Sequence, residues 1–321
     1  MKNETHVVIG ATGALGSAIV RRLREENKLV RAVARDVDLA KEMLPSSAGI
    51  VFGDMASPDS VKAACEGAAV IYHCVNIRYC EWAKYMPALT ENILDGARKA
   101  KAKLLFPGNL YVYGPFQKTP VDENHPHAAN TKKGKVRILM EKMLMDAHHA
   151  GDVQAVIPRF PDFYGPDVTN PLMAPIFQSA LEGKEAGWPG RLDVPHDLLF
   201  VKDAAKACVL LADTEDAFGQ VWHVPGPGSL TGQQFMEMVF DAAERPPKTR
   251  ALGRMLFRFF GLLIPDAGEM VEVLYLFEQP MVMDGRKFAG AFPHFEYTSH
   301  REAVRLTVEW YKNRQAVSSK K

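Results

Sequence analysis

Three glycines near the beginning of the chain have a spacing that suits binding of a diphosphate. Gly10, Gly13 and Gly16 follow an apolar run at residues 7–9 and lead into a helical pattern. In such a strand–loop–helix segment the first glycine permits a tight turn, the second lets the backbone approach a pyrophosphate, and the third lets helix and strand pack closely. The phosphate would then meet the free N–H groups at the positive end of the helix. We predict a dinucleotide site formed by Gly10, Thr12, Gly13, Ala14, Leu15 and Gly16.

The end of the second apolar run bears on which dinucleotide is bound. An NAD site usually has a carboxylate here to bind both ribose hydroxyls, whereas a guanidinium can pair with the 2′-phosphate of NADP. Ala34 occupies this position and Arg35 follows it, which favours NADP(H), while Asp36 leaves NAD open. Asp54, after the third run, is predicted to accept a hydrogen bond from the adenine amine, with a helix-capping acid as the alternative.

The loop after the fourth predicted strand is another place where side chains can approach a bound nicotinamide. Val75 in this loop is predicted to contact the cofactor, and Tyr79 lies where it can approach the nicotinamide ring. His73, at the end of the strand, is expected to be a core histidine. The predicted cofactor site therefore draws on the ends of several strands.

A parallel sheet is needed to bring these residues together, and the hydrophobic pattern predicts one. Short apolar runs alternate with amphipathic segments, which indicates βαβ units with helices on both faces of the sheet. The predicted strands are residues 7–9, 29–34, 49–52, 69–73, 103–106 and 154–158. Helical spacing is seen at Leu15, Ile19 and Leu23, and later at Ile138, Leu139, Met143 and Leu144. The predicted fold class is α/β, a Rossmann-type doubly wound parallel sheet.

The pattern changes near Asn170, where proline, glycine and aromatic residues become frequent and the alternation weakens. We therefore predict an NAD(P)-binding domain over residues 1–170 and a smaller C-terminal substrate-binding region over residues 171–321. Two later apolar runs, near 199–201 and 221–224, are predicted to return and complete the sheet of the first domain.

An apolar block in the C-terminal region predicts a pocket for an apolar or aromatic small-molecule substrate, because ligand pockets are lined mainly by such side chains. Its members are Met255, Leu256, Phe259, Phe260, Leu262, Leu263, Met270, Val273, Leu274, Tyr275 and Phe277, with Phe177 and Trp188 also in this region. Core packing accounts for part of the block. A homodimer interface is an equal alternative.

Composition excludes several other classes of protein. The 321 residues are 47% hydrophobic and carry a formal net charge of +1, so no strong field attracts nucleic acid or an acidic membrane. Cysteines and histidines lack ligand spacing, which predicts reduced thiols and no metal site. The N-terminus does not resemble a signal peptide, and the apolar stretch 255–264 is too short to span a bilayer. We expect a soluble cytoplasmic protein.

Four motifs make nearly the whole chain resemble the extended and atypical short-chain dehydrogenase/reductase superfamily, specifically its NAD-dependent epimerase/dehydratase group. They are the glycine loop, the Y-V-Y-G-P of residues 111–115, the segment 158–166, which is similar to R-x-x-N-V-Y-G-P, and the segment 196–204, which is similar to R-D-F-I-H-V-D-D-V-A. The resemblance implies a Rossmann fold and chemistry at a nicotinamide.

The expected catalytic residues of that family are replaced. A Ser or Thr normally stands five residues before the glycine of V-Y-G, and this position holds Asn109. A Tyr-x-x-x-Lys pair should open the next helix, yet no tyrosine lies between Tyr113 and Tyr164. The best gapless match puts Lys133 at the tyrosine and Arg137 at the lysine. The catalytic phenol is also missing in a second register, over residues 131–135.

One function open to such a chain is that of an oxidoreductase with substituted catalytic groups. The Arg137 guanidinium, one helical turn away, disfavours the charged form of the Lys133 ammonium. Lys133 would then act as a general acid, Asn109 would polarise a carbonyl, and Arg137 would hold the ribose or an anionic substrate.

Two other functions remain open. The missing phenol favours a protein that binds NADP(H) without turnover and reports the cofactor ratio to a partner. A nucleotide-sugar epimerase or dehydratase is the third alternative. His196 and Asp162 count against it, because they replace an Arg and an Asn that such enzymes use near the substrate diphosphate.

Overall fold

The computed structural model describes residues 4–261 and 265–318. Its strands are β1 Thr5–Ile9, β2 Leu29–Ala34, β3 Gly49–Phe52, β4 Ala68–His73, β5 Lys103–Leu105, β6 Gly108–Asn109, β7 Ala155–Phe160, β8 Asp162–Tyr164, β9 Ala186–Pro189, β10 Pro195–His196, β11 Leu198–Phe200, β12 Val221–His223, β13 Leu230–Thr231 and β14 Thr249–Leu252. Its α-helices are α1 Ala14–Glu25, α2 Val37–Met43, α3 Pro58–Cys65, α4 Trp82–Ala100, α5 Lys132–His149, α6 Ala174–Leu181, α7 Val201–Ala212, α8 Gly232–Ala242, α9 Arg254–Gly261, α10 Pro265–Met270, α11 Tyr275–Glu278, α12 Arg286–Ala291 and α13 His300–Ser318. Short 3₁₀ helices lie at Tyr79–Glu81, Leu110–Tyr113 and Glu215–Ala217.

The chain forms two compact units, each assembled from separate segments. Unit 1 consists of Met1–Gly114, His127–Phe160 and Ala204–Trp222. Unit 2 consists of Pro115–Pro126, Pro161–Asp203 and His223–Lys321. The chain therefore passes between the units several times.

Unit 1 is built on a large sheet with the strand order β12-β7-β5-β4-β1-β2-β3, and β6 also pairs with β7. All neighbouring strands between β7 and β3 in this sheet order pair in parallel, and so do β6 and β7. The central strand β1 buries its apolar residues almost completely, and α1 buries Leu15, Ile19 and Leu23, which lie four residues apart on one face as predicted. The predicted Rossmann-type α/β class is confirmed.

The six strands predicted for the first half are all observed, with ends that differ by at most two residues. The predicted return near 221–224 is β12, which joins the large sheet. The predicted return near 199–201 is a strand, β11, but it pairs with β8 in a separate two-stranded sheet. It does not complete the large sheet as predicted, because a fully apolar run such as Leu198–Phe200 fits the interior of either sheet equally well.

Helix α5 differs from the predicted amphipathic helix. Leu144 is buried as expected, but Leu139 is 46% exposed. The buried residues also include the charged side chains of Lys133, Arg137 and Glu141. A helix that turns its charges inward is exceptional, because buried charges must be paired or bound to be tolerated.

Unit 2 contains the small sheets β8–β11, β9–β14 and β10–β13, and an aromatic core. Phe177 stacks on Tyr311 with ring centroids 5.4 Å apart, and Phe235 packs against Phe177 and Trp188. These rings are almost completely buried. Phe177 and Trp188 therefore belong to the core of this unit.

Much of the predicted apolar block is also core of unit 2. Met270, Val273, Leu274 and Phe277 are buried, whereas Met255 is 84% exposed. Leu262 and Leu263 lie outside the described residues, as do the side chains of Phe259 and Phe260. Among the helices described here, none has both the length and the apolar character needed to cross a membrane.

Candidate active site

The glycine loop makes backbone contacts that leave no room for side chains at two of its positions. Gly10 has a φ of +84°, and a Cβ there would lie 2.6 Å from the carbonyl oxygen of Cys74, which follows β4. A Cβ on Gly16 would lie 2.2 Å from the carbonyl oxygen of Gly10. The Gly13 N–H donates to the same oxygen at 3.0 Å. The loop is thus a tight turn held between the ends of β1 and β4 and the start of α1.

The N-terminus of α1 is open to an anion. Its N-cap is Gly13, which has no side chain to accept from the helix, and no acidic residue lies in the first turn. The first helical backbone bond runs from the Ser17 N–H to the Gly13 oxygen, so the N–H groups of Ala14, Leu15 and Gly16 have no acceptor within the helix. These N–H groups and the helix dipole fit the pyrophosphate of a dinucleotide.

The residues predicted to select the dinucleotide follow β2 and β3. Arg35 is exposed and makes no ion pair with a described residue. Asp36 caps α2 by accepting from the Leu39 N–H at 2.9 Å, so its carboxylate already has a structural role. Asp54 accepts from the Ala56 N–H at 3.0 Å through one carboxylate oxygen.

The loop after β4 is anchored by a buried tryptophan. The Trp82 indole N–H is 3.0 Å from both the Asn76 side-chain oxygen and the Ile77 carbonyl oxygen. Val75, half-buried, lies in this loop beside the contact between Gly10 and Cys74. The anchored loop leads directly to Tyr79.

Lys133 and Arg137 lie on the buried face of α5. Lys133 is 1% exposed, and its ammonium lies 5.3 Å from the centroid of the Tyr79 ring. The Arg137 guanidinium lies 4.7 Å from the centroid of the Trp82 ring and donates to the Pro107 carbonyl oxygen at 3.3 Å. Two cations of this helix are therefore held against aromatic rings at the carboxyl ends of β4 and β5.

The Arg137 side chain combines strong burial with an unsatisfied donor. Burial lowers its pKa, while the charge of Glu141 and the phenols of Tyr79 and Tyr111 act in the opposite direction. Its Nε has no hydrogen-bond partner within the described chain. A buried donor without a partner is costly in a folded protein, so this atom is suited to meet an oxygen of a bound ligand.

Asn109 lies at the end of β6 and is tied to the following 3₁₀ helix. Its side-chain oxygen accepts from the Tyr111 N–H at 3.1 Å. The amide NH₂ is therefore the group that Asn109 can offer to a substrate oxygen. Gly134 brings α5 close to the same turn, since a Cβ there would lie 2.5 Å from the Tyr111 carbonyl oxygen.

The second register would put Thr131 and Lys135 at the positions of the family's Tyr and Lys, but neither residue is a buried group of the site. The Thr131 hydroxyl caps α5 by accepting from the Gly134 N–H at 3.1 Å. Lys135 is exposed. The buried groups are those of the first register, Lys133 and Arg137.

Two phenols in this region were not predicted as site residues. The hydroxyls of Tyr79 and Tyr111 are 3.0 Å apart, and either can be the donor. The sequence places Tyr79 near the nicotinamide without indicating a role, and Tyr111 is part of the Y-V-Y-G-P motif. Tyr111 stands only two residues after Asn109, and this closeness to a predicted site residue is the feature of the sequence that could have identified it.

His73 has the environment predicted for a core histidine. It is 1% exposed, and its Nε2 is 3.0 Å from the Thr90 hydroxyl. Burial, with a smaller contribution from the charge of Arg137, lowers its pKa to about 3. His73 is therefore neutral at physiological pH.

A buried ion pair between Glu141 of α5 and Arg159 of β7 fixes the helix to the sheet. The Arg159 guanidinium pairs with the Glu141 carboxylate and also bonds to the Tyr113 hydroxyl. Its Nη2 is 2.8 Å from His127 Nε2. Arg159 and Glu141 are 1% and 3% exposed, so the pair is shielded from water.

In unit 2, the two substituted positions of the predicted nucleotide-sugar site contact each other. His196 Nε2 lies 3.0 Å from the Asp162 carboxylate, and the His196 ring stacks on Phe277. The Asp162 carboxylate therefore already has a side-chain partner within unit 2.

A glycine turn at the end of β1, an open helix N-terminus and a polar cluster at the ends of β4 and β5 define a Rossmann protein that binds a nicotinamide dinucleotide. Residues 6–224 match the model of the NAD dependent epimerase/dehydratase family. The chain belongs to this family.

Relatives and solved structures agree with this assignment. A 2-alkyl-3-oxoalkanoate reductase of Shewanella oneidensis is 24% identical over 281 residues, which are 81% of this chain and 71% of the relative. A dTDP-glucose 4,6-dehydratase from Bacillus anthracis in complex with NAD has a TM-score of 0.80 at 16% identity and covers 98% of each chain. A UDP-glucuronic acid 4-epimerase from Bacillus cereus, with UDP-glucuronic acid and NAD, has a TM-score of 0.79 at 16% identity, covering 96% of this chain and 99% of that chain. These structural likenesses support the fold.

Proposed function

We propose that the protein is an NADP(H)-dependent reductase of small apolar or aromatic carbonyl compounds, with catalytic groups that replace the usual Tyr–Lys pair. The observation that carries this proposal is the buried cluster at the carboxyl ends of β4 and β5, where Lys133 and Arg137 of α5 lie against aromatic rings. In parallel sheets, ligands bind outside this edge. The reductase from Shewanella oneidensis, a relative over most of the chain, supports reduction as the type of reaction.

Each predicted site residue has a role in this proposal. The glycine loop and the first turn of α1 hold the pyrophosphate. Asp54 accepts a hydrogen bond from the adenine amine, and Val75 contacts the cofactor on the nicotinamide side. When bound, the reduced nicotinamide supplies a hydride to the carbonyl carbon. The Asn109 amide polarises the carbonyl oxygen, and the buried Arg137 Nε meets a ribose or substrate oxygen. Lys133 keeps the site positive and is one candidate for the general acid.

The walls of the cluster favour an apolar or aromatic substrate. Trp82 and Phe106 are buried beneath the Arg137 guanidinium, whose carbon lies 4.7 Å and 5.3 Å from the two ring centroids. Pockets that take apolar ligands combine such rings with a few polar groups that fix orientation. The two cations also suit a carbonyl compound that carries a carboxylate.

Arg35 gives a prediction about the choice of dinucleotide. Replacing Arg35 with Ala should weaken NADPH binding by about 10-fold, because one charge-assisted contact to the 2′-phosphate is lost at an exposed site. NADH, which lacks this phosphate, should bind with unchanged affinity. Fluorescence titration of the two nucleotides measures both constants.

A second variant controls for the loss of positive charge alone. Lys41 lies on α2, the helix that follows Arg35, and its side chain is 63% exposed. Lys41→Ala removes the same charge without removing the proposed contact, so NADPH affinity should stay within about twofold. Equal losses for both variants, or tighter binding of NADH than NADPH by the wild type, would contradict the assignment of Arg35.

The reductase proposal is tested by NADPH consumption over a panel of aromatic aldehydes, alkyl ketones and oxo acids. We expect turnover of at least one class, and we expect Lys133→Met to reduce it by about 100-fold or more at saturating substrate. Binding of NADPH with no consumption over the whole panel would overturn the proposal and favour a cofactor-sensing protein.

A further inference from the structure

We propose that Tyr79 is the proton donor of the reaction and that its phenol replaces the one missing from α5. This inference rests on the proposed reductase function and goes beyond it, because it assigns the proton to a residue outside the family's catalytic positions. Tyr111 and Lys133 are positioning residues that act through Tyr79.

Tyr79 contacts three residues of the cluster, namely Tyr111, Lys133 and Trp82. Its hydroxyl is 3.0 Å from the Tyr111 hydroxyl, and the Tyr111 N–H is held by the Asn109 side chain. The Lys133 ammonium lies over its ring, and the edge of its ring meets the Trp82 indole at a centroid distance of 4.9 Å. A phenol from the loop after β4 therefore contacts Lys133 of α5 and reaches Asn109 only through Tyr111.

The charges around the two phenols favour the phenolate that a proton donor leaves behind. The Arg137 guanidinium would be attracted to either phenol in its ionised form, and Lys133 is a second cation of the same helix. Opposite charges at such distances favour the ionised form of an acid. Glu81, two residues further along the turn, is the acidic group on the same 3₁₀ helix.

Of the two phenols, Tyr79 is the more exposed, and we assign the proton to it for this reason. Tyr111 is 7% exposed and is fixed at both its N–H and its hydroxyl, whereas Tyr79 is half-buried. The loop that carries Tyr79 is anchored through Trp82, so the phenol is held in place before a substrate arrives. Preorganised groups of this kind avoid reorganisation during the reaction.

The proton and the hydride reach different atoms of the substrate carbonyl. The substrate C=O becomes a C–O single bond: its carbon gains the hydride that a bound reduced nicotinamide would supply, and its oxygen gains the proton as the Tyr79 O–H bond breaks. The carbonyl is thereby reduced by two electrons to an alcohol, and the two electrons would come from the bound nicotinamide with the hydride. The Tyr79 phenolate, stabilised by the hydroxyl of Tyr111, then regains a proton from solvent.

The first test compares matched variants of the full-length protein. Tyr79→Phe removes only the hydroxyl and should lower kcat by about 100-fold or more, with NADPH affinity unchanged. Tyr111→Phe should lower kcat by about 10-fold, because it removes one hydrogen bond to the donor. Tyr85→Phe is the control, since Tyr85 is 42% exposed on α4 and also has an ammonium over its ring, that of Lys84 at 4.7 Å. It should leave kcat unchanged.

The second test does not depend on turnover. In cofactor-free protein labelled with ¹³Cζ-tyrosine, the Tyr79 resonance is assigned by its loss in Tyr79→Phe and followed against pH. Lys133→Met should raise the midpoint of this resonance by about one pH unit, because removal of a nearby cation disfavours the phenolate. An unchanged thermal midpoint establishes that this variant is folded.

The outcomes separate this inference from the reductase proposal. Unchanged kcat in Tyr79→Phe with loss of activity in Lys133→Met would assign the proton to Lys133 and overturn the inference while the reductase function stands. An unmoved Tyr79 midpoint in Lys133→Met would overturn the role of Lys133 as a positioning residue. Bound NADPH without turnover by the wild type would overturn both proposals.

Discussion

Replacing Glu141 with alanine is expected to lower the free energy of unfolding by about 3–5 kcal/mol, measured by urea denaturation. The reason is the Arg159 guanidinium, which pairs with Glu141 at a site where the two side chains are 1% and 3% exposed. Without the carboxylate, a positive charge stays buried with only Tyr113 and His127 as partners. A buried charge that has lost its counter-ion is among the most destabilising single changes known.

Two further variants separate the lost pairing from general damage to α5. Glu302 and Arg305 form an ion pair whose side chains are 46% and 56% exposed, so Glu302→Ala should leave the free energy of unfolding nearly unchanged. The double variant Glu141→Leu with Arg159→Met removes both charges and should recover most of the stability lost in the single variant. A cost below about 1 kcal/mol for Glu141→Ala would show that the pair does not hold α5 to β7.

The second large effect is expected at Gly16, where an alanine should weaken binding of either nicotinamide dinucleotide by about 100-fold or more. A Cβ would lie 2.2 Å from the Gly10 carbonyl oxygen and 3.1 Å from the Ala11 Cα, both in backbone that cannot give way locally. Helix α1 would have to move away from β1, and its first-turn N–H groups would move with it. Loss of two such bonds to a charged phosphate, at about 1.5 kcal/mol each, corresponds to this factor.

Gly290 on α12 provides the control for this substitution, since a Cβ there meets nothing within 4 Å. Gly290→Ala should leave both nucleotide affinities unchanged. Calorimetric titration with NADPH and NADH compares the two variants directly. Wild-type affinity in Gly16→Ala would mean that the dinucleotide is bound elsewhere.

The strands and the glycine loop of unit 1 were predictable because they follow from local rules. Apolar runs of strand length, separated by helices, fix a parallel sheet. The positive φ of Gly10 and the close approach at Gly16 are steric requirements that only glycine meets, so the residue type itself reports the backbone. These features need no knowledge of distant contacts.

The buried face of α5 could not be read from its hydrophobic pattern. Periodicity assigned the buried face to leucine, isoleucine and methionine, whereas the helix also buries Lys133, Arg137 and Glu141. These buried charges are stabilised by residues of other segments: Lys133 and Arg137 lie over the rings of Tyr79 and Trp82, and Glu141 pairs with Arg159. Because these partners are distant in sequence, only the tertiary fold shows that they meet α5.

The pairing of β11 and the phenol pair depend on the fold in the same way. Leu198–Phe200 was recognised as a strand, but the motif that contains its neighbour β8 does not show which strand β8 pairs with. Tyr79 and Tyr111 are separated by 32 positions, and only the packing of the loop after β4 against the turn after β6 joins their hydroxyls. Single-sequence patterns carry no information about such contacts.

Dinucleotide binding to the wild-type protein is the measurement that tests the central claim most directly. Titration with NADPH in a calorimeter should give saturable binding at one site per chain. At 100 times the dissociation constant the nucleotide should stabilise the fold by about 2.7 kcal/mol, visible as a higher thermal midpoint. Absence of binding heat and an unmoved midpoint with both NADPH and NADH at millimolar concentration would contradict the account.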